Sequence, residues 1–348
     1  MTETMERTPL GNRPGFEGGL QEVAAGTYAW IQPNGDLGES NAGLVVGDRE
    51  SLLIDTLWDE RLTRRMLDSM FPHLRDAPIG TVFNTHGDGD HWYGNGVVLN
   101  VEVVATEAAD RQMREEPPAM ITRTAPLRLG AGLLGKVPLL PFGDRIRGIA
   151  AFGHDLGSYE IGGIKPRFPD RTFTGTETFD AGGRTVEAIE VGPAHTPGDA
   201  IAWVPDVRVV FAADIVFAGV TPIIWAGPVE NWIRALNRIE SLEPEVVVPG
   251  HGPVCDTATV ADLREYWLWL DDAVRADGDS SASAVTTRIL GSESFKGGPW
   301  AAWRGPERTL VNVAMIIRES RGETGPVGQF QRIALLAEMG ALRAKLRG

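Results

Sequence analysis

Asn84-Thr85-His86-Gly87-Asp88-Gly89-Asp90-His91 puts two imidazoles and two carboxylates into six residues, directly after a short apolar strand, Thr81 to Asn84. Glycines at 87 and 89 let the backbone turn tightly enough for neighbouring side chains to converge. Four potential ligands so close together would repel one another, or be desolvated, without a cation between them. A solvated acidic turn explains the aspartates but not the paired histidines, so the run reads as a metal site.

The other histidines extend this reading. The chain has six in all, and two of the remaining four fall in equally telling places. His195 lies in Gly192-Pro193-Ala194-His195-Thr196-Pro197-Gly198-Asp199, a turn after the apolar stretch Thr185 to Val191. His251 lies in Val246-Val247-Val248-Pro249-Gly250-His251-Gly252-Pro253, again a β-branched strand entering a Gly/Pro turn. Between them, Val209 to Asp214 is an apolar strand ending on one carboxylate. Each candidate ligand thus sits at the exit of a strand, where loops on a rigid scaffold carry chemistry.

In the order of these four segments the chain resembles the metallo-β-lactamase superfamily over residues 20 to 260. The resemblance implies an α+β fold, a four-layer αββα sandwich, holding one or two metals with a first motif His-x-His-x-Asp-His and a later His, Asp and His. His86, Asp90, His91, His195, Asp214 and His251 match that pattern, whereas Asp88 stands where most members have a second histidine. By the resemblance, His86, His195 and residue 88 hold one metal, Asp90, His91 and His251 the other, and Asp214 bridges the two.

Asp88 changes the expected electrostatics. Two divalent ions against three carboxylates leave one positive charge, and a bridging hydroxide brings the cluster to zero, which makes it a weaker Lewis acid. Zinc is the common metal of the family, while the harder ligand set shifts the preference toward iron or manganese. In the flavo-diiron branch of the superfamily a glutamate fills this slot and the metal is iron. Aspartate is one methylene shorter, so Asp88 either binds directly or reaches the metal through water.

Composition fits a cytoplasmic enzyme. A chain of 348 residues, 43% hydrophobic and 23% charged, can bury a substantial core. The net charge of −14 argues against nucleic acid or an anionic membrane surface as partner. One cysteine, Cys255, excludes an internal disulfide framework and reads as a small buried filler. No stretch reaches membrane-spanning length, and the first twenty residues lack the apolar core of a signal peptide.

Along the chain, residues 1–19 read as an extension and 20–260 as the catalytic domain. Its strands begin with Thr27 to Gln32, Ala42 to Val46 and Ser51 to Asp55, an antiparallel meander. Asp55 is either a partner of a ligand histidine or a turn cap. Asp59 to Met70 is helical, with Leu62, Met66 and Met70 on one face, and Glu107 to Glu116 is a second helix. Residues 106–170 form a long insertion, read as a flexible lid, a substrate-pocket wall or a dimer contact. Its Gly130 to Gly135 run matches a dinucleotide-binding pattern only formally, since no strand precedes it and prolines flank it. His154, at its end, reads as a solvated loop residue. The apolar loop Val216 to Gly227 carries Trp225, which either faces an apolar substrate or packs on the helix Trp232 to Glu240. Residues 261–348 form a helical subdomain, with helices through Leu263 to Val274, Glu307 to Arg318 and Phe330 to Leu346. It either caps the catalytic domain or joins two copies in a homodimer.

The expected function is metal-dependent hydrolysis by a metal-bound hydroxide, with Asp90 shuttling a proton. The substrate would be a small, largely apolar molecule with an ester, thioester, lactone or similarly activated centre. Alternatives are a diiron oxidase or oxygenase fed by an external electron donor, and a binding protein without turnover.

Overall fold

The computed structural model describes residues 7–123, 143–278 and 281–347. Seven strands make the first sheet, in chain order across it: β1 (Gly19–Ala24), β2 (Thr27–Ile31), β3 (Ala42–Val46), β4 (Ser51–Ile54), β5 (Ile79–Phe83), β6 (Glu102–Thr106) and β7 (Arg171–Phe173). The first four run antiparallel as a meander, and β4 to β7 pair in parallel. The second sheet holds β8 (Thr176–Ala181), β9 (Arg184–Glu190), β10 (Ala200–Val204), β11 (Val209–Phe217) and β12 (Val246–His251), with only β11 and β12 parallel.

Strand periodicity explains the layering. In β3 to β6, Val45, Leu52, Phe83 and Val104 point inward to a core shared with Val186, Ala202, Phe211 and Val248 of the second sheet. Their neighbours Leu44, Leu53, Val82 and Val103 point outward, against Leu62, Met66 and Met70 of α1 (Glu60–Met70) and Met113 of α2 (Glu107–Glu115). Likewise Ile201, Val210 and Val247 of the second sheet meet Trp232, Leu236 and Ile239 of α5 (Val229–Ser241). Side chains alternate along a strand, so a strand apolar on both phases must be covered on both faces. The expected αββα sandwich is the result. Each fully buried Val, Leu or Phe contributes about 1.5–3 kcal/mol relative to exposure.

Past α2, the described parts of the insertion are helical at two places. Its stretch Leu127 to Phe142, including the glycine run at 130–135, lies outside the described residues. Around it stand α3 (Pro118–Arg123) and α4 (Gly143–Leu156). His154 belongs to the last turn of α4 rather than to a loop, and is exposed.

Past β12, α6 (Thr257–Asp277) starts on Asp256, whose carboxylate accepts from the backbone N–H of Ala258 and Thr259, and stops on Gly278 at φ 68°. Then come α7 (Ala282–Gly291), α8 (Glu293–Gly297), α9 (Thr309–Ser320) and α10 (Gln329–Arg347). The pattern of the sequence does not announce β1, α4, α7 or α8: β1 is a half-exposed edge strand, and α7 and α8 are short. The C-terminal helices share one core with the outer face of the second sheet, where the rings of Trp232 and Trp267 lie 4.6 Å apart. None of the described helices is long and apolar enough to cross a membrane.

Helices α4 and α10 touch backbone to backbone. A Cβ on Gly148 would collide with the Ala337 carbonyl oxygen and come within 2.8 Å of Ala341 N, and one on Gly340 would lie 2.7 Å from Gly148 Cα. In an isolated helix Gly→Ala stabilises by about 0.5–1 kcal/mol. Gly148→Ala is expected to do the opposite here, lowering unfolding stability by about 1–3 kcal/mol through overpacking. A rise in the urea midpoint for that variant would contradict the packing.

Candidate metal centre

The first motif is held by two adjacent strand exits. Asp55, just past β4, takes φ 62°, donates its N–H to Phe83 O (2.9 Å) and accepts from Thr85 N (2.8 Å). Trp92 Nε1 donates to Gly87 O at 3.0 Å, and Asn84 Nδ2 to His91 O at 3.0 Å, fixing both ends of the turn. The His195 turn is wound on Asp199, which accepts from Ala194 N and Thr196 N, each at 3.0 Å. Burial pushes Asp199 up to about 6, against those bonds and the nearby His195.

Asp214 lies within β11, after Ala213 at φ 46°, where the register with β12 slips. This local strain turns the carboxylate into the cleft. Across from it a Cβ on Gly250 would collide with Asp214 Oδ1, so glycine is required there. His251 follows, its ring stacked on Phe217 (5.2 Å, 1°), and its turn is tied down by Asn41 Nδ2 donating to Pro249 O (2.8 Å) and Gly252 O (2.9 Å).

These segments bring the six family-matched side chains and Asp88 together. Donor atoms lie within 4.8 Å of one another in three groups: His86, Asp88 and His195; His86, His91 and Asp214; Asp90, His91 and His251. Asp214 is central, with Oδ1 3.2 Å from His91 Nε2, and Oδ2 3.3 Å from His195 Nε2 and 3.5 Å from His251 Nε2.

The outer nitrogens of three rings are already engaged. His91 Nδ1 lies 2.9 Å from Asp55 Oδ2, and His195 Nδ1 lies 2.7 Å from Ile223 O. His86 Nδ1 lies 2.9 Å from Thr85 Oγ1, a hydroxyl that itself donates to Asp55 Oδ2 at 2.7 Å. Acceptors at Nδ1 put the proton there and leave the Nε2 lone pair facing inward. Buried Nε2 atoms of His86, His91 and His195, with Asp214 Oδ1, have no hydrogen-bond partner among the described residues. Convergent, desolvated lone pairs without donors suit a cation. Asp55 is therefore a partner of the site, serving His91 directly and His86 through Thr85.

Protons take the place of positive charge when no cation is bound. Burial works against the charge of Asp214, Asp90 and Asp88, yet nearby imidazoles, and for Asp88 first of all Arg332, hold the three carboxyls below their usual range. In return the carboxylates outweigh burial at His91, His195 and His251 and raise them, His195 to about 9. His86 goes the other way, to about 3, because burial and then His91 dominate.

Asp88 is not unpaired, contrary to what its sequence neighbourhood suggests. Arg332 of α10 donates through one nitrogen to both of its oxygens (3.0 and 2.9 Å), and Gln112 Nε2 donates to Oδ1 at 2.8 Å. Asp88 Oδ2 also lies 3.3 Å from His195 Nε2. The other arm of Arg332 reaches Glu116 Oε2 at 2.9 Å, and the guanidinium lies 4.5 Å over the Trp225 ring. Trp225 is buried beneath it, and packs on the C-terminal helix rather than standing open. Sequence reasoning missed Arg332, Gln112 and Glu116. One signal was present: Arg332 falls on the same helical stripe as Leu335, Leu336 and Met339, and a cation on an apolar stripe needs a partner.

The sequence profile of the Metallo-beta-lactamase superfamily matches residues 35–251. The alpha subunit of a 2,4-dinitroanisole O-demethylase from Nocardioides sp. (strain JS1661) is 25% identical over 222 residues, 60% of this chain and 51% of that protein. The chain thus spans about half the length of that curated relative. Among solved structures, the stereoselective inverting sec-alkylsulfatase Pisa1 from Pseudomonas sp. superposes with a TM-score of 0.64 at 18% identity, over 87% of this chain and 50% of the other. A metallo-beta-lactamase family protein from Thermus thermophilus gives 0.58 at 18% identity, over 86% and 95%. The structural likenesses speak for the fold, and the profile, matched over residues 35–251 and so across both halves of the sandwich, decides the family: the chain belongs to the metallo-β-lactamase superfamily.

Proposed function

We propose that the protein is a metal-dependent hydrolase with two divalent ions. His86, Asp88 and His195 would hold one, Asp90, His91 and His251 the other, and Asp214 would be common to both. The carrying observation is the set of buried Nε2 atoms of His86, His91 and His195, which converge on one cleft with no hydrogen-bond partner among the described residues. When bound, such a pair supplies a Lewis acid and lowers the pKa of water to near neutrality.

The protein's own groups do the rest. Asp55 and Ile223 O hold His91 and His195 in one tautomer and orientation. Asp90, whose side chain is more exposed than that of Asp214 (15% and 5%), would pass a proton to the leaving group. As substrate we propose a small, largely apolar molecule with an ester, thioester, lactone or similarly activated centre. The names of two relatives, a dinitroanisole O-demethylase and a sec-alkylsulfatase, denote small organic substrates, in keeping with that class. The redox alternative rests on Asp88 and on the flavo-diiron branch, where a carboxylate fills the same slot. Arg332 sits against that carboxylate and offsets its charge, which supports the hydrolytic reading, while ligand hardness still argues for iron or manganese.

Asp214→Ala is expected to lose both metal equivalents in elemental analysis, because it is the one ligand common to the two positions. Full retention would contradict the shared role. Asp55→Asn should keep the fold and weaken metal binding about 10–100-fold, the usual cost of losing a ligand histidine's outer partner; unchanged affinity in chelator competition would reduce Asp55 to a turn residue.

Metal uptake should also release protons. His195, raised to about 9, carries a proton in the metal-free site at neutral pH, and a ligating Nε2 must give it up. Affinity should therefore climb as pH rises from neutral toward about 9. Calorimetric titration in two buffers of different ionisation enthalpy reads this directly. Equal heats in both would mean that no proton leaves.

A further inference from the structure

We propose that Arg332 is the positioning residue of the first metal position: it clamps Asp88 so that Oδ2 alone faces His195 and His86, and thereby makes that position depend on the docking of the C-terminal helix. This inference rests on the metal reading above. Most of the ligand set comes from strand exits fixed by sheet pairing, but Asp88 sits between two glycines and its side chain is 14% exposed. Among the described residues of the sandwich, Gln112 of α2 alone donates to its carboxylate from outside the ligand set. Arg332 supplies the second constraint, and it comes from 244 residues away.

The clamp is itself firmly seated. Glu116 holds its second arm at 2.9 Å, and the Trp225 ring carries the guanidinium face. Arg332 N–H donates to Gly328 O at 2.9 Å, and just before it Val327 N–H donates to Trp225 O at 3.2 Å. Trp225 N–H donates in turn to His195 O at 2.9 Å. The same short path thus links the start of α10 to two members of one metal group, Asp88 by side chain and His195 by backbone. Farther along, the α4 contact at Gly148 and the Arg343–Asp155 pair (2.6 Å) hold the helix in register.

Arg332 meets Asp88 through one guanidinium nitrogen and Glu116 through the other, so one planar cation is held between two carboxylates at once, which the single point charge of an ammonium or an apolar chain cannot reproduce. With both Asp88 oxygens bonded to Arg332 and Oδ1 also bonded to Gln112, the free lone pair of Oδ2 is the one that lies on the His195 side. A buried ion pair that served stability alone would need no particular relation to His86 and His195.

The test is metal binding to the full-length protein and to Arg332→Met and Arg332→Lys, each stripped of metal and titrated with zinc against a chelator. Cobalt(II) absorption serves as a second readout of the ligand geometry. Expected are two equivalents in the parent, one of them weakened about 10–100-fold in Arg332→Met, with a changed cobalt spectrum, and partial recovery in Arg332→Lys. In an Asp88→His background, the same Arg332→Met change should leave both affinities where they were, since the clamped group is gone. If the parent binds two equivalents and Arg332→Met binds both as tightly, with only the melting temperature of the metal-free protein lowered, Arg332 is structural and the proposal fails. A parent that binds no metal would instead overturn the metal reading itself. Should Arg332→Met not fold, Arg332→Lys decides alone: two equivalents of parental affinity and an unchanged spectrum would overturn the proposal.

Discussion

Three carboxylates and four imidazoles share one buried cleft, and the repulsion among Asp88, Asp90 and Asp214 is the constraint on which the rest of the structure turns. Isolated buried carboxylates cost several kcal/mol each unless paired. Here each of the three carboxylates faces an imidazole Nε2, so that either protons or cations must balance the site. The raised His91, His195 and His251 are the same fact seen from the nitrogen side.

Holding that arrangement requires the backbone to be stiff where the ligands leave it. Asp55 and Ala213 occupy left-handed conformations beside the cleft, and Gly250 is bare so that Asp214 can approach. Such conformations persist only when neighbours over-determine them. The neighbours are the two sheets, each buried on both faces, whose strands deliver the first motif, Asp214 and His251 to one cleft. Asp55 then joins local strain to chemistry, since one carboxylate both closes the β4–β5 exit and orients the two histidines of the first motif.

The C-terminal helices add a second kind of support. They extend the hydrophobic core over the outer face of the second sheet, and α10 sends a charge back across that core to Asp88. The aspartate that departs from the family's usual histidine is thus met by an arginine from outside the profile-matched region. Glu116 on the far side of the guanidinium keeps that cation from being a free anion-binding site.

Most of the candidate ligands were legible in the sequence because they occupy Gly- or Pro-rich exits after apolar strands, and such punctuation is local; Asp214, expected at a strand's end, lies inside β11 instead. The helices α1, α2 and the long apolar stripe of α6 were legible from their spacing, while the layered sandwich came from the family resemblance. What could not be read was anything decided by a contact between distant segments. The choice for Asp55 between turn cap and histidine partner depended on where β5 lies beside β4. The choice for Trp225 between facing a substrate and packing in the core depended on α10, which covers it, and the partner of Asp88, Arg332, comes from the far end of the chain. Local propensity and spacing set the identity of the donors, but their protonation, orientation and charge balance are properties of neighbours in space, which only the folded chain defines.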